Sequence, residues 1–131
     1  MVKVIRCVCL VEETEDKILL VQVRHREKYY FPGGKIEAHE SMLDAIQREV
    51  NEELKLDIPQ TQFEYIGTVV GQAYPQKNMQ TELNGYRVTT DIDWEQIQID
   101  NEITDIKWVD KTNTHLIAPA VQTWIAQISS K

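Results

Sequence analysis

The sequence predicts an α/β fold: one domain over residues 1–131, a sandwich in which a mixed β-sheet lies between helices. Three observations predict it. Apolar runs of strand length lie before and after a long stretch of helix formers, Ser41 to Leu54, which contains no Gly or Pro. A second stretch with helical spacing closes the chain. Finally, 131 residues, 42% of them hydrophobic and 27% charged, suit one globular domain with a real core.

Taken in order, Val2 to Val11 reads as a central strand, Glu12 to Asp16 as a charged turn, and Lys17 to Val23 as a returning strand, so a hairpin is expected. Arg24-His25-Arg26-Glu27-Lys28 is the one markedly basic stretch, either a solvated loop or a place where Arg24, Arg26 or Lys28 steers phosphates. His25 and His39 read as loop histidines. In Tyr29 to Gly34, Pro32 holds Phe31 extended and the paired glycines let the backbone approach a ligand closely. The helix from Ser41 opens on a capping signal, Ser41 with Asp44, and a loop follows at Asp57 to Gln60.

Strands are expected at Gln62 to Tyr74, Gly85 to Asp91 and Thr104 to Val109, with a polar loop from Pro75 to Asn84. Asp91 to Asn101 alternates only in part. Thr112 to Ile128 carries Leu116, Ile117, Ala120, Trp124 and Ile128 at helical spacing, and Pro119 is expected to kink this helix or delay its start.

Composition excludes several classes. A net charge of −7, from 21 acids against 14 bases, opposes a general grip on nucleic acid. No run approaches the roughly 18 apolar residues of a membrane span, and no secretory signal is visible, so a cytoplasmic location without a membrane partner is the expectation. Cys7 and Cys9 share a strand face and lack a second pair, which points to buried thiols and not to zinc.

The chemistry concentrates on the central helix. At about 100° per residue Glu49, Glu52 and Glu53 crowd one arc, beside an apolar stripe of Leu43, Ile46, Val50 and Leu54. Taken alone, such acids read as a wet surface. Buried along the stripe, they would sit half out of water and repel one another unless a cation joined them. Mg²⁺, a hard ion that keeps waters for a phosphate-bearing ligand, is the natural resolution.

Spacing sharpens this. Gly34, five residues, Glu40, seven residues, then Arg48-Glu49-Val50-Asn51-Glu52-Glu53 fixes six positions that coincide by chance about once in 10⁷ to 10⁸ starts. The pattern resembles the Nudix box, with Val50 and Leu56 at its apolar positions and Phe31-Pro32-Gly33-Gly34-Lys35 leading into it. It departs once: Lys55 stands where the family has Gly, which puts the helix terminus in question.

The resemblance implies an α/β/α sandwich and a pyrophosphohydrolase of the MutT-like kind. Mg²⁺, or Mn²⁺ as a substitute, would be held by Glu49, Glu52, Glu53 and the Gly33 carbonyl. Arg48 would orient the acids and Glu40 would brace the loop. Arg24 and Lys35 would contact substrate. The general base stays open among Glu49, Glu52 and a later acid, with Asp100, Glu102 and Glu82 as candidates. Tyr30, Tyr74, Tyr86 and Trp94 are candidates to stack a base. The expected substrate is a small nucleotide, first a nucleoside triphosphate. ADP-ribose, a sugar nucleotide or a dinucleoside polyphosphate are alternatives, as is a non-catalytic nucleotide-binding regulator. The resemblance also admits a homodimer.

Overall fold

The structure, a computed structural model, describes residues 3–99 and 102–129. Six strands and two α-helices follow in the order β1 (Lys3–Leu10), β2 (Lys17–Val23), β3 (Gly33–Lys35), α1 (Met42–Leu54), β4 (Phe63–Gln72), β5 (Met79–Val88), β6 (Ile103–Asp110) and α2 (Pro119–Trp124). A four-stranded mixed sheet has the order β3-β1-β5-β4, with β1 parallel to β5 and its other pairs antiparallel. β2 and β6 form a separate antiparallel pair. One buried cluster gathers α1 with Val8, Leu10 and Val21; the other gathers α2 with Cys9, Ile18, Leu20 and Leu83. This is the expected sandwich of sheet between helices.

The expected hairpin is not there. Glu13 bridges Ile18 and the Leu19 N–H donates to the Glu12 carbonyl, but β1 and β2 then part into different sheets. The cause lies in β2, where Ile18, Leu19, Leu20 and Val21 are all buried. A strand apolar on both faces needs cover on both, and β2 finds it between the two clusters. β1 instead pairs with β5, and the Val11 N–H extends that ladder to the Tyr86 carbonyl.

β5 begins at Met79, inside the segment expected to be a loop. Its polar residues are used inward: Asn84 donates to the Cys7 carbonyl at 2.9 Å, and Thr81 and Asn84 are both buried. The chain from Asp91 to Ile99 forms no strand. Pro119 occupies the first turn of α2, where its missing N–H costs nothing, so the last helix starts late and ends in a π-turn over Ile125–Ser129.

α1 begins as its sequence predicts, with a capping box of Ser41 and Asp44. Its end, in question because Lys55 stands where the family has Gly, keeps the left-handed cap: Lys55 adopts φ 59°, ψ 32° and donates its N–H to the Asn51 carbonyl. A left-handed lysine costs about 1 kcal/mol that glycine avoids, partly offset by glycine's freedom in the unfolded chain. Lys55→Gly is therefore expected to raise stability by about 0.5–1 kcal/mol, roughly 2–5 °C in melting temperature. Thermal denaturation of the two proteins checks this.

Candidate functional site

Of the expected apolar stripe of α1, Ile46, Val50 and Leu54 are driven into the core together with Ala45, while Leu43, in the first turn of the helix, is exposed. That places Glu49 and Glu53 against the glycine turn of β3, with Glu52 further out. The Gly33 N–H donates to Glu53 Oε1 at 2.8 Å. Glu49 lies so close to Gly34 that a β-carbon there would stand 2.8 Å from its carboxylate. The glycines thus let β3 run directly against the acids.

Arg48 ties this face together. Its Nε and Nη2 donate to the two oxygens of Glu40 at 2.7 and 2.9 Å, Nη1 donates to Glu49 Oε1 at 2.7 Å and to Glu52 Oε2 at 3.4 Å, and Nη2 also reaches the Lys35 carbonyl. Glu40 in turn accepts the Glu37 N–H at 3.0 Å. The guanidinium holds the Glu40 carboxyl down at about 2. Burial raises Glu49 despite Arg48, and it pushes Glu53 up to about 8, with the charges of Glu49, Glu52 and Glu102 adding to the rise.

These donors are all hard oxygens, and the surroundings of Glu49 and Glu53 disfavour their charged forms. That donor chemistry fits a divalent cation of the Mg²⁺ or Mn²⁺ kind. Among the described residues, no three acidic, His or Cys side chains are gathered as a ready cage. Glu49 is turned toward Arg48, and Glu53 shares one oxygen with the Gly33 amide.

Other candidates fall in different places. Arg24 and Glu102, both exposed, pair with each other through Nη2 and Oε1, and the Arg24 N–H donates to the Glu102 carbonyl at 2.8 Å. Asp100 lies outside the described residues. Glu82 is held by Arg6 at 2.9 Å and by Asn84. Tyr86 is buried and meets Tyr65 edge-on, a packing role, and Trp94 packs on the α1 cluster.

A cavity of ≈ 170 Å³ opens beside the acidic face, lined by Gly33, Glu53 and Lys35 and also by Arg26, Lys28, Tyr30 and Tyr74. Arg24 does not line it. Two wall residues, Cys7 and Thr81, were invisible in sequence. Only the parallel pairing of β1 with β5, which sets Ile5 opposite Thr81, brings them together.

Comparison with known proteins now decides the family, since the model of the NUDIX domain matches residues 2–127. The chain belongs to the Nudix family. An uncharacterised Nudix hydrolase of Bacillus subtilis is 38% identical over 58 residues, 44% of this chain and 37% of that protein. An 8-oxo-dGDP phosphatase of Danio rerio is 45% identical over 47 residues, 34% of this chain and 14% of that protein. The chain thus aligns with well under half the length of either relative. The E. coli dihydroneopterin triphosphate pyrophosphohydrolase superposes over 100% of both chains with a TM-score of 0.65 at 20% identity, a likeness of fold.

Within the Nudix box, Arg48 makes contacts a lysine cannot reproduce, because only a guanidinium grips Glu40 with two parallel N–H groups while reaching Glu49. Arg48→Lys is expected to lower turnover about 10- to 100-fold. It should also lower the melting temperature, with a definite pH dependence. Glu40 is depressed from 4.5 to about 2, so the pair's contribution is complete above pH 4.5 and fades as the pH falls toward 2. The gap in melting temperature between variant and wild type should close over that window.

Proposed function

We propose that this Nudix domain hydrolyses the pyrophosphate bond of a small nucleotide, most simply a nucleoside triphosphate, with Mg²⁺ as its working metal. The observation that carries the proposal is the meeting of Glu49 and Glu53 with the Gly33–Gly34 turn at one end of a cavity whose rim bears Arg26, Lys28 and Lys35. Acids for a metal and cations for phosphate stand side by side there.

Glu49, Glu53 and the Gly33 carbonyl would hold the ion, with Glu52 joining from the outer edge. When bound, it would neutralise phosphate charge and acidify water. The chain's own residues do the rest. Arg48 and Glu40 keep Glu49 in place, the Gly33 amide orients Glu53, and the rim cations hold the phosphate chain. In the reaction a water oxygen bonds to one phosphorus, the bridging P–O bond breaks, and the leaving phosphate keeps the electron pair. We assign the departing water proton to Glu52, which is 58% exposed and held by Arg48 only at 3.4 Å, with Glu102 the second choice because Arg24 already engages it.

The test is a substrate panel. Purified protein with Mg²⁺ is assayed on nucleoside triphosphates, ADP-ribose, sugar nucleotides and dinucleoside polyphosphates. Release of phosphate-containing products from a triphosphate is expected. Tight nucleotide binding without any turnover would instead make the domain a non-catalytic regulator.

A further inference from the structure

The cavity beside α1 has a shape and a lining that specify more than a phosphate site. Its walls are apolar, formed by Ile5, Val21 and Ala73 among others. At ≈ 170 Å³ it slightly exceeds an engineered cavity of about 150 Å³ that takes up benzene, so it accommodates one six-membered ring with a substituent. The cavity is open to solvent on one side, and the second ring of a purine would extend out through that opening, beyond the apolar walls.

The uncharged polar side chains of the lining include the hydroxyls of Tyr30, Tyr74 and Thr81 and the Gln76 amide. Thr81 is 2% exposed, and its hydroxyl lies 3.3 Å from the Ile5 carbonyl and 3.5 Å from Cys7 Sγ and also bonds the Tyr30 side chain. Tyr30 lines the same space, and burial raises its phenol, which stays protonated. The Tyr74 hydroxyl is taken up by the Lys28 N–H, which leaves the bonded pair of Tyr30 and Thr81, whose remaining donor and acceptor capacity matches a ring edge that mixes carbonyl oxygen with N–H or ring nitrogen. No charged group other than Glu53 and the cations Arg26, Lys28 and Lys35 lines the cavity among the described residues. Lys28 is steadied by donating its N–H to the Tyr74 hydroxyl at 3.1 Å and its amine to the His115 carbonyl at 3.0 Å. Three cations against one carboxylate suit a chain of several phosphates better than a doubly esterified diphosphate.

We propose that the cavity selects a pyrimidine nucleoside triphosphate, the ring seated among Ile5, Val21 and Ala73, its polar edge on the Tyr30 and Thr81 hydroxyls, and its phosphates passing Arg26, Lys28 and Lys35. The proposal rests on the hydrolase reading for its reaction, but base selection is measured separately. Tyr30 and Thr81 are specificity-determining residues; they take no part in bond breaking.

Two measurements test it. In the first, kcat/KM is compared for cytidine, uridine, adenosine and guanosine triphosphates, ribo and deoxy. Pyrimidines are expected to lead by at least about 10-fold, and Tyr30→Phe and Thr81→Val should each lower pyrimidine turnover about 10-fold while moving purine values less than about twofold. Equal or better turnover of purines, or a preference unchanged in both variants, overturns the proposal. In the second, binding of cytidine and uridine 5′-monophosphates is compared with that of adenosine and guanosine 5′-monophosphates by NMR titration without added metal. Tighter pyrimidine binding that both hydroxyl variants weaken supports the proposal even if no nucleotide is turned over, in which case only the hydrolase reading falls. Unselective or absent binding overturns it even if hydrolysis is seen.

Discussion

Glu53→Gln is expected to cut turnover by at least about 100-fold and, in metal-free protein above pH 8, to raise the melting temperature. The two effects share one cause. Burial, and then the charges of Glu49, Glu52 and Glu102, push the Glu53 carboxyl from 4.5 up to about 8, while the Gly33 N–H works in the opposite direction. Between those values the folded chain holds a proton there that the unfolded chain has released. Stability therefore falls as pH rises from 4.5 through 8, and the full penalty stands above 8. Glutamine keeps an acceptor for the Gly33 amide and carries no charge, so the variant escapes the penalty. Below pH 4.5 the wild-type carboxyl is neutral in both states, and the two proteins should melt together. Mg²⁺ should reverse the order at pH 8, raising wild type strongly and the variant little. Melting curves at pH 5 and pH 8, with and without Mg²⁺, and a turnover assay check all of it. Full turnover in the variant would remove Glu53 from the metal site.

What could be read without coordinates followed from how local its cause was. The box helix is set by neighbours in sequence, so its capping box, three of the four residues of its apolar stripe and the trouble at Lys55 were legible, while Leu43 of that stripe stays exposed. Its acids were legible because spacing on a helix fixes which residues share a face. Strand pairing depends on partners far along the chain. Nothing in Val2 to Val23 says that β1 takes β5 and β3 as partners, or that β2 takes β6. For the same reason Met79 to Asn84 looked like a polar loop: Thr81 and Asn84 are buried only because β1 supplies the backbone groups they meet. The cavity depends on that pairing, so its wall was hidden while its rim was not. Arg24 shows the limit from the other side. It has the charge and the place in sequence to bind phosphate, yet its guanidinium is engaged with Glu102, and the cations that line the cavity are its neighbours Arg26 and Lys28 together with Lys35.

The two glycines that lead into α1 should respond to the same substitution in opposite ways. Gly33 has φ +145°, and a β-carbon there would stand 2.1 Å from the Val8 carbonyl oxygen, inside the β1–β3 pairing of Val8 with Gly34 and Cys9 with Gly33. The Val8 carbonyl and the Cys9 Cα, at 2.9 Å, are backbone, which cannot step aside without undoing the strand. Gly33→Ala is expected to cost more than about 4 kcal/mol and to leave little folded protein, which circular dichroism and yield of soluble chain would show. Gly34 has no such φ, and the nearest atoms its β-carbon would meet are those of the Glu49 carboxylate, at 2.8 Å. A carboxylate at the end of a flexible side chain can move, so Gly34→Ala should fold with a melting temperature within a few degrees of wild type. Moving Glu49, however, breaks its 2.7 Å contact with Arg48 and takes one of the acids out of place. Turnover should fall about 100-fold, since a displacement of roughly 1 Å at a reacting centre suffices for that. A folded, active Gly34→Ala would mean that Glu49 need not stand against the turn. A folded but inactive one would separate what the glycine pair does for the strand from what it does for the chemistry.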